Sequence, residues 1–493
     1  MATLYAAAPL CAVLVAMVAF RLSAAAAGTA GLLIAAGLAA TAFAPDVVAD
    51  PAGARLAIGV AAEAAHATGT ILWIIFPALT LYEYQRRSGG LARMRKALVS
   101  LTDDRRLQVL LIAWFFGLFM EGAAGFGTPV ALAAPLLVGI GLAPVRAVAL
   151  ALLGHAAGVA FGAVGTPALT QVEITGLDPI ALAGATSSLT VVAGVVLLVA
   201  LVRTADPKAL SIADIGWAAL AGLAFFLPHL AFAMIAGPEL PTLAGALIGF
   251  AVFLTAIRAV GAAGPLATHG LAADLAPYLG LVALVLATRL VLPVAEALDS
   301  VRLTWSMDGA FGASLAPLTH PGTAMMLCVV VTGTMSGRAG LLVDALSAAL
   351  RRLLPVALAL LIMLLLSRLM VHAGMIDALA AAAARTGAFW PLLAPVIGTL
   401  GTFVTGSATA SSVLFAEFQS ATASALGLAP ALMMAAQGLG GAIGNVLAPH
   451  NIVAGAATVG LDRQEGSVLR LTAPGAALAL AATGATVAVI AML

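Results

Sequence analysis

The chain has 493 residues, 63% of them hydrophobic and only 9% charged, with a mean hydropathy of +1.13, which lies outside the range of soluble globular domains. A net charge of +1 carries no electrostatic footprint of a nucleic-acid partner, so the composition is that of an all-α polytopic membrane protein whose basic residues matter for where they sit. Two cysteines, Cys11 and Cys328, lie in separate apolar segments and suggest neither a disulfide framework nor a metal cluster. No cofactor or metal is expected.

The first apolar run, from about Leu4 to Phe20, is followed by the small residues Ser23 to Ala27. No Lys or Arg precedes it, as a secretory n-region requires, so it reads as a first transmembrane helix. A spanning helix needs about 20 mainly apolar residues. On that rule twelve spans fall near 4–21, 24–43, 56–84, 143–176, 181–202, 214–236, 241–261, 276–293, 309–335, 353–372, 429–458 and 470–493. The stretches 107–142 and 389–428 are too long for one crossing, and small and polar residues interrupt each midway. Each reads as a re-entrant hairpin of two half-length helices.

Cytoplasmic loops are rich in Lys and Arg, and the loop after the third span carries Arg86, Arg87, Arg93, Arg95, Lys96, Arg105 and Arg106. If 107–142 enters from that side and returns to it, Arg203 with Lys208, Arg258, and Arg338 with Arg351 and Arg352 also fall on the cytoplasmic side. A full crossing would reverse every later loop, so the hairpin reading is preferred, with both termini outside. The chain also echoes itself. "GLAP" recurs at Gly141 and Gly427, 286 residues apart; at that offset Gly154 and Gly158 match Gly440 and Gly444, and "TGLD" at Thr175 resembles "VGLD" at Val459. Seven crossings separate the hairpins, which inverts the second copy, and inverted repeats built on broken helices mark secondary transporters. The expected units are N-terminal helices and loop (1–106), a first repeat (107–213, hairpin 107–142, broken helix 143–176), connecting helices (214–372), and a second repeat (389–493, hairpin 389–428, broken helix 429–458, last helix 470–493).

Irregular backbone survives in hydrocarbon only when buried in protein or lining a wet cavity. Four breaks are predicted, at Glu121–Pro129, Thr405–Ser412, 162–167 and 445–451, and all should converge. Half-helix N-termini would offer N–H groups and positive partial charge to a carboxylate, with Thr128, Thr166, Thr405, Ser407, Thr409, Ser411 and Ser412 supplying hydroxyls. Gln437, Asn445 and Asn451 add amides to the expected substrate site, and Gly125 and Gly127 its close backbone approach. Gly154, Gly158, Gly440 and Gly444 read as helix-packing pairs, whereas Gly122, Gly125 and Gly127 read as ligand-side glycines. Intramembrane ionisable groups suggest function: Glu121 is the leading candidate for proton coupling, followed by His155 and His450, which also count as substrate ligands. Glu63 and His66 are expected to pair with each other. His229, His320, Arg289, Arg368, His372 and Glu417 read as packing or snorkelling residues near span ends.

The stretches "ILWIIFPALTLYEY", "DRRLQVLLIAWFFGLFMEGAAGFGTPVALAAPLLVGIGLAP", "AFGAVGTP", "GPELP" at Gly237 to Pro241, and the run from "GTFVTGSATASSVLFAEFQ" to "VGLDRQEGSVLRLT" resemble the L-lactate permease family of bacteria, from about residue 70 to the end. The resemblance implies a plasma-membrane symporter that carries 2-hydroxymonocarboxylates such as lactate and glycolate with protons. It also implies an architecture similar to the ion-transporter superfamily, and that Glu121, Gly125, Gly127 and Thr128 inherit the role of the family's first hairpin tip. Three stretches depart from the family. NTAP is here Gly154 to Ala157; TGSDTSSN is TGSATASS, with Ala408 in place of an acid and Ser412 in place of an amide; GKMISPQS is Gly444 to Asn451, without its lysine. One acid and one lysine are thus absent together, which leaves local charge balanced.

The leading expectation is proton-coupled uptake of a small organic anion. Sodium coupling through carbonyls of the broken helices, and a non-transporting anion-binding membrane subunit, are the alternatives. No Ser-His-Asp arrangement, metal spacing or phosphate loop suggests an enzyme. The bilayer is the expected environment, and a homodimer is left open.

Overall fold

The computed structural model of the chain describes residues 1–43, 51–206, 211–264 and 270–493; Lys208, counted above among the cytoplasmic charges, lies outside them. Within the described residues ten helices are long and apolar enough to span a bilayer, or up to twelve if two bent pairs each count as one span. In chain order the helices are α1 (Ala2–Val18), α2 (Ala24–Leu38), α3 (Pro51–Arg87), α4 (Gly90–Ser100), α5 (Arg105–Ala123), α6 (Thr128–Gly139), α7 (Pro144–Ala156), α8 (Gly162–Thr175), α9 (Pro179–Ala205), α10 (Ile212–Ala236), α11 (Pro241–Ala259), α12 (Leu271–Leu290) and α13 (Leu292–Asp299). A hairpin of β1 (Leu303–Met307) and β2 (Phe311–Leu315) follows. The remainder is α14 (Pro321–Met335), α15 (Ala339–His372), α16 (Met375–Ala383), α17 (Trp390–Thr405), α18 (Ala408–Leu426), α19 (Pro430–Leu447), α20 (Pro449–Thr458) and α21 (Glu465–Ile490).

Both interrupted stretches are helix–turn–helix units. α6 folds back on α5, and Arg105 at the start of α5 donates to the carbonyl of Gly141 just past α6, so the unit begins and ends at one place. α17 and α18 pack together in the same way, joined through Gly406 and Ser407. Each unit is followed by a bent helix pair, α7 with α8 at 62° and α19 with α20 at 45°. Each is then followed by a long helix, α9 or α21, and these two pack on each other. The glycines at offset 286 have matching uses: a Cβ on Gly154 would sit 1.9 Å from the Ala113 carbonyl oxygen of α5, and one on Gly440 would sit 1.9 Å from the Pro395 carbonyl oxygen of α17. Only a bare backbone lets these helices approach so closely.

A second group, α2, α3, α14 and α15, packs beside these units and meets them where α3 crosses α8 and α15 crosses α18. At one end of the molecule Arg86 and Arg352 both pair with Glu83 (2.7 and 2.8 Å), Arg338 donates to Ser88 O, and Arg93 forks onto Asp274. Arg106 bridges Asp104 and Asp214, tying the start of α5 to that of α10, and its hydrogen bonds hold the Asp104 carboxyl below the usual range.

Three expectations need correction. The apolar stretch 309–335 is not one helix: its first part belongs to β2, and Pro321 starts α14, as the alternation of Leu303 to Leu315 around Asp308-Gly309 explains. Arg351 and Arg352 lie within α15, which begins at Ala339, and not in a loop. Residues 373–388, unassigned from the sequence, hold α16 and a short 3₁₀ segment.

Candidate functional site

The four breaks meet. Glu121, Gly125, Phe126 and Gly127 from the first hairpin, Val159, Gly162, Ala163, Thr166 and Pro167 from the bend between α7 and α8, Gly406 to Thr409 from the second hairpin, and Asn445 near the end of α19 line one cavity of about 60 Å³. Beside it, sharing Phe126, Gly127, Gly406, Ser407 and Thr409, is a wider vestibule of about 490 Å³. Thr128, Thr405, His450 and Asn451 line this vestibule, together with Tyr82 and Arg352. Arg352 stacks over the Tyr82 ring, 5.5 Å from its centroid, while paired with Glu83.

The backbone that shapes the inner cavity is unusual. Gly125, Phe126 and Gly127 have φ of +54°, +48° and +77°, and Ala163, Val164 and Gly165 have φ of +44°, +55° and +81°. Two left-handed stretches therefore face each other, and a Cβ on Gly125 would lie 3.1 Å from the Ala163 Cβ. Left-handed backbone at a β-branched residue such as Val164 is a genuine outlier, of the kind held in place by surrounding structure at functional sites. The surrounding structure here is the start of α11. A Cβ on Gly165 would fall 2.3 Å from Pro238 O, and one on Gly122 2.7 Å from Leu243 N, while Thr242 donates to the Gly158 carbonyl at 2.9 Å. Gly122 and Gly158 thus serve close packing; of the three hairpin glycines read as ligand-side, Gly125 and Gly127 face the cavity.

Several hydroxyls expected to meet a ligand are committed to the turns. Thr128 Oγ1 donates to Gly125 O at 2.7 Å, Thr166 Oγ1 to Ala163 O at 2.6 Å, and Thr405 Oγ1 to Gly401 O at 2.8 Å. Ser407 caps α18 by accepting from Ala410 N. Thr409 lines the cavity, whereas Ser411 donates to Gly398 O and Gln437 donates to Ser411 O, both buried behind it. Helix N-termini at Thr128, Ala408 and Pro449 open onto the two cavities, which suits an anion.

Glu121 is 5% exposed, and no hydrogen bond among the described residues reaches its carboxyl. It is therefore not pinned to hairpin N–H groups but faces the cavity. Behind it, His155 Nε2 lies 3.9 Å from Glu121 Oε2 and 3.2 Å from Asn445 Oδ1. A carbonyl only accepts, so His155 Nδ1 must donate to Ala151 O at 2.6 Å. Nε2 is then the nitrogen that gains or loses a proton, facing both Glu121 and the amide of Asn445. Protonated, it donates to Asn445 Oδ1; neutral, it accepts from the amide turned over. His450 stands apart, in the vestibule, with its ring against Gly406.

Outside this centre the sequence reading fails in instructive ways. Glu63 and His66 do not pair: Glu63 meets His372 at 2.9 Å and His66 accepts from Trp305 Nε1 at 3.3 Å. Arg368 pairs with Glu417 at 2.9 Å within the protein and does not snorkel. His229, by contrast, is a packing residue as read, fully buried against Ser187, Phe161 and Phe225. Arg289 pairs with Glu239 of "GPELP". Among residues that sequence reasoning missed, Arg352 and Tyr82 carried a signal, being polar side chains beside apolar runs. Phe126, Gly162 and Ala163 lie inside two of the predicted breaks but were not singled out as site residues.

A family model described as L-lactate permease matches residues 2–264 and 301–493. Among curated proteins the chain is similar to an L-lactate permease of Streptococcus iniae (32% identity, 74% of this chain and 80% of the relative). It is also similar to Glycolate permease GlcA of Escherichia coli K12 (31%, 82% and 81%) and to an L-lactate permease of Bacillus subtilis (31%, 81% and 81%). Among solved structures it resembles the YdaH transporter of Alcanivorax borkumensis (TM-score 0.53, 16% identity, 90% and 89% covered). It likewise resembles MtrF of Neisseria gonorrhoeae (TM-score 0.51, 16%, 91% and 86%). Those two likenesses establish a polytopic helical fold. The family match spans nearly the whole chain, and this multi-pass membrane protein belongs to the L-lactate permease family.

Proposed function

We propose that this protein is a secondary transporter of the bacterial plasma membrane that carries a small 2-hydroxymonocarboxylate, of the lactate or glycolate class, together with a proton. The observation that carries this reading is the meeting of four helix breaks around one carboxylate in a cavity of about 60 Å³, supported by relatives named for lactate and glycolate. Helix N-termini and peptide N–H groups would hold the anion, and Glu121 with His155 would take up the proton. The units 107–213 and 389–493 would act as inverted repeats moving against α2, α3, α14 and α15, with re-entrant hairpins and both termini outside.

Reconstituted in liposomes with an inward proton gradient, the protein should accumulate a labelled short 2-hydroxy acid. No accumulation of any member of that class would overturn the reading, and accumulation that follows sodium at fixed pH would replace the proton as the coupling ion. Glu121→Gln should lose gradient-driven accumulation while keeping anion counterflow.

A further inference from the structure

A second polar cavity, of about 290 Å³, lies away from the hairpin tips and is lined by Glu63, His66, Glu173, Gly312, Ser314 and Arg368. Measured along α3, His66 is about 30 Å from the arginine-rich end at Arg87, at about 1.5 Å per residue, so this cavity belongs to the opposite end of the molecule. The β-hairpin covers it. Trp305 of β1 donates to His66, Gly312 N of β2 lies 3.4 Å from Glu63 Oε1, and the Phe311 ring sits 4.5 Å from that of His372. A Cβ on Gly59 would lie 2.4 Å from the Phe311 ring, so α3 is shaped to receive the cover.

Six ionisable groups gather here, three carboxyls (Glu63, Glu173, Glu417), one guanidinium (Arg368) and two imidazoles (His66, His372). With both imidazoles neutral the cluster would carry two uncompensated negative charges on side chains that are only 13–22% exposed, which is costly. Two protons balance it, and the hydrogen bonds narrow where they go. An indole N–H only donates, so His66 Nδ1 accepts from Trp305 and His66 is neutral, its proton on Nε2. That N–H has no hydrogen-bond partner and points towards Glu173 Oε1 at 3.9 Å. His372 meets Glu63 at 2.9 Å, and Arg368 balances Glu417 at 2.9 Å. Glu173 is the carboxyl left without a hydrogen-bonded cation. The other charges on the surrounding elements, Asp377 of α16, Asp178 ahead of α9 and the Arg55–Asp308 pair beyond the hairpin, are exposed.

We propose that Glu173 is a second proton-carrying residue of this transporter, taking a proton from water in the cavity beneath the β-hairpin at the end opposite the arginine cluster. The step is protonation of one carboxylate, with nothing else transferred. Glu173 lies on α8, whose first residue, Gly162, touches Glu121, and on the line where α8 meets α3. Its charge therefore bears on how α8 sits against α3, and the inference rests on the proton-coupled reading above.

Infrared difference spectroscopy of the protein in lipid, across a pH step, reads protonated carboxyls directly and needs no transport. In a Glu121→Gln background one protonated-carboxyl band should remain, and adding Glu173→Gln should remove it. Trp305→Phe leaves every carboxyl in place but frees His66 Nδ1 to take the proton, so the band should weaken there too. A band unchanged in both variants overturns the proposal. In liposomes Glu173→Gln alone should lose gradient-driven accumulation and keep counterflow; unchanged accumulation also overturns it. Failure of the unsubstituted protein to accumulate any hydroxy acid would instead strike the proposed function, leaving the infrared result to stand by itself.

Discussion

A Cβ on Gly162 would fall 2.1 Å from Glu121 Oε1, although the backbone there, at φ −64°, suits any residue. Glycine is thus required for the carboxyl's position and not for the turn. Gly162→Ala should cost only about 1 kcal/mol of stability, because a flexible carboxyl can move aside, yet should abolish gradient-driven uptake. A near-native melting temperature with lost transport checks this; intact transport refutes it. The paired loss noted from the sequence also gains a location, because Ala408 and Asn445 line the same cavity as Glu121. Ala408→Asp alone adds a second carboxylate beside Glu121 and should weaken anion binding, whereas Ala408→Asp with Asn445→Lys should recover it. Calorimetric titration of the four proteins with lactate would measure the coupling between the two sites, and additive effects would remove the idea of a compensated pair. Glu121 was legible because one acid in an apolar run has no cheap explanation. The contact of His155 with Asn445, 290 residues away, was not, since neither residue's neighbourhood names the other.

At the scale of elements, the bend between α7 and α8 depends on the loop before α11. Gly165 combines φ +81° with a Pro238 carbonyl that a Cβ would meet at 2.3 Å, whereas Gly176 has φ +68° and open space around it. Alanine at 176 should cost about 1–2 kcal/mol, the left-handed penalty alone. Alanine at 165 should add about 1–3 kcal/mol of overpacking against rigid backbone. Thermal melts in lipid should separate the two variants clearly; equal losses would mean that "GPELP" does not brace the break. Helices and breaks were readable because apolar length, Gly and Pro act locally. The β-hairpin was missed because its strands adjoin the apolar run of α14, and the length rule outweighed the period-two alternation from Leu303 to Leu315. Its purpose, covering Glu63 and His66, is a tertiary matter that no local pattern carries.

Considered as a whole, the molecule is asymmetric about its central cavity. Towards the arginine-rich end lies the vestibule of about 490 Å³ with Arg352 at its edge, and towards the other end the ion-paired cavity of about 290 Å³ is covered by β1 and β2. An anion approaching from the arginine side meets a cation, then His450 and Asn451, then the tip of each hairpin. From the far side it meets the β-hairpin and, under it, a cluster that includes three carboxyls. The same structure therefore favours one entrance, and it follows that the second hairpin tip should be reachable from that side only. In a background of Cys11→Ser and Cys328→Ser, a cysteine at Ser407, which lines both the vestibule and the inner cavity, should react with a membrane-impermeant maleimide supplied at the arginine-rich face. It should resist the reagent from the other face and be protected by a bound hydroxy acid. A cysteine at Ser314, on β2 where it lines the far cavity, serves as the opposite control and should react only from the far face. Labelling of Ser407→Cys from both faces at equal rates would mean that the closed end is not closed, and that the packing of α3 on α8 and the Arg368–Glu417 pair between α15 and α18 do not hold the two helix groups together.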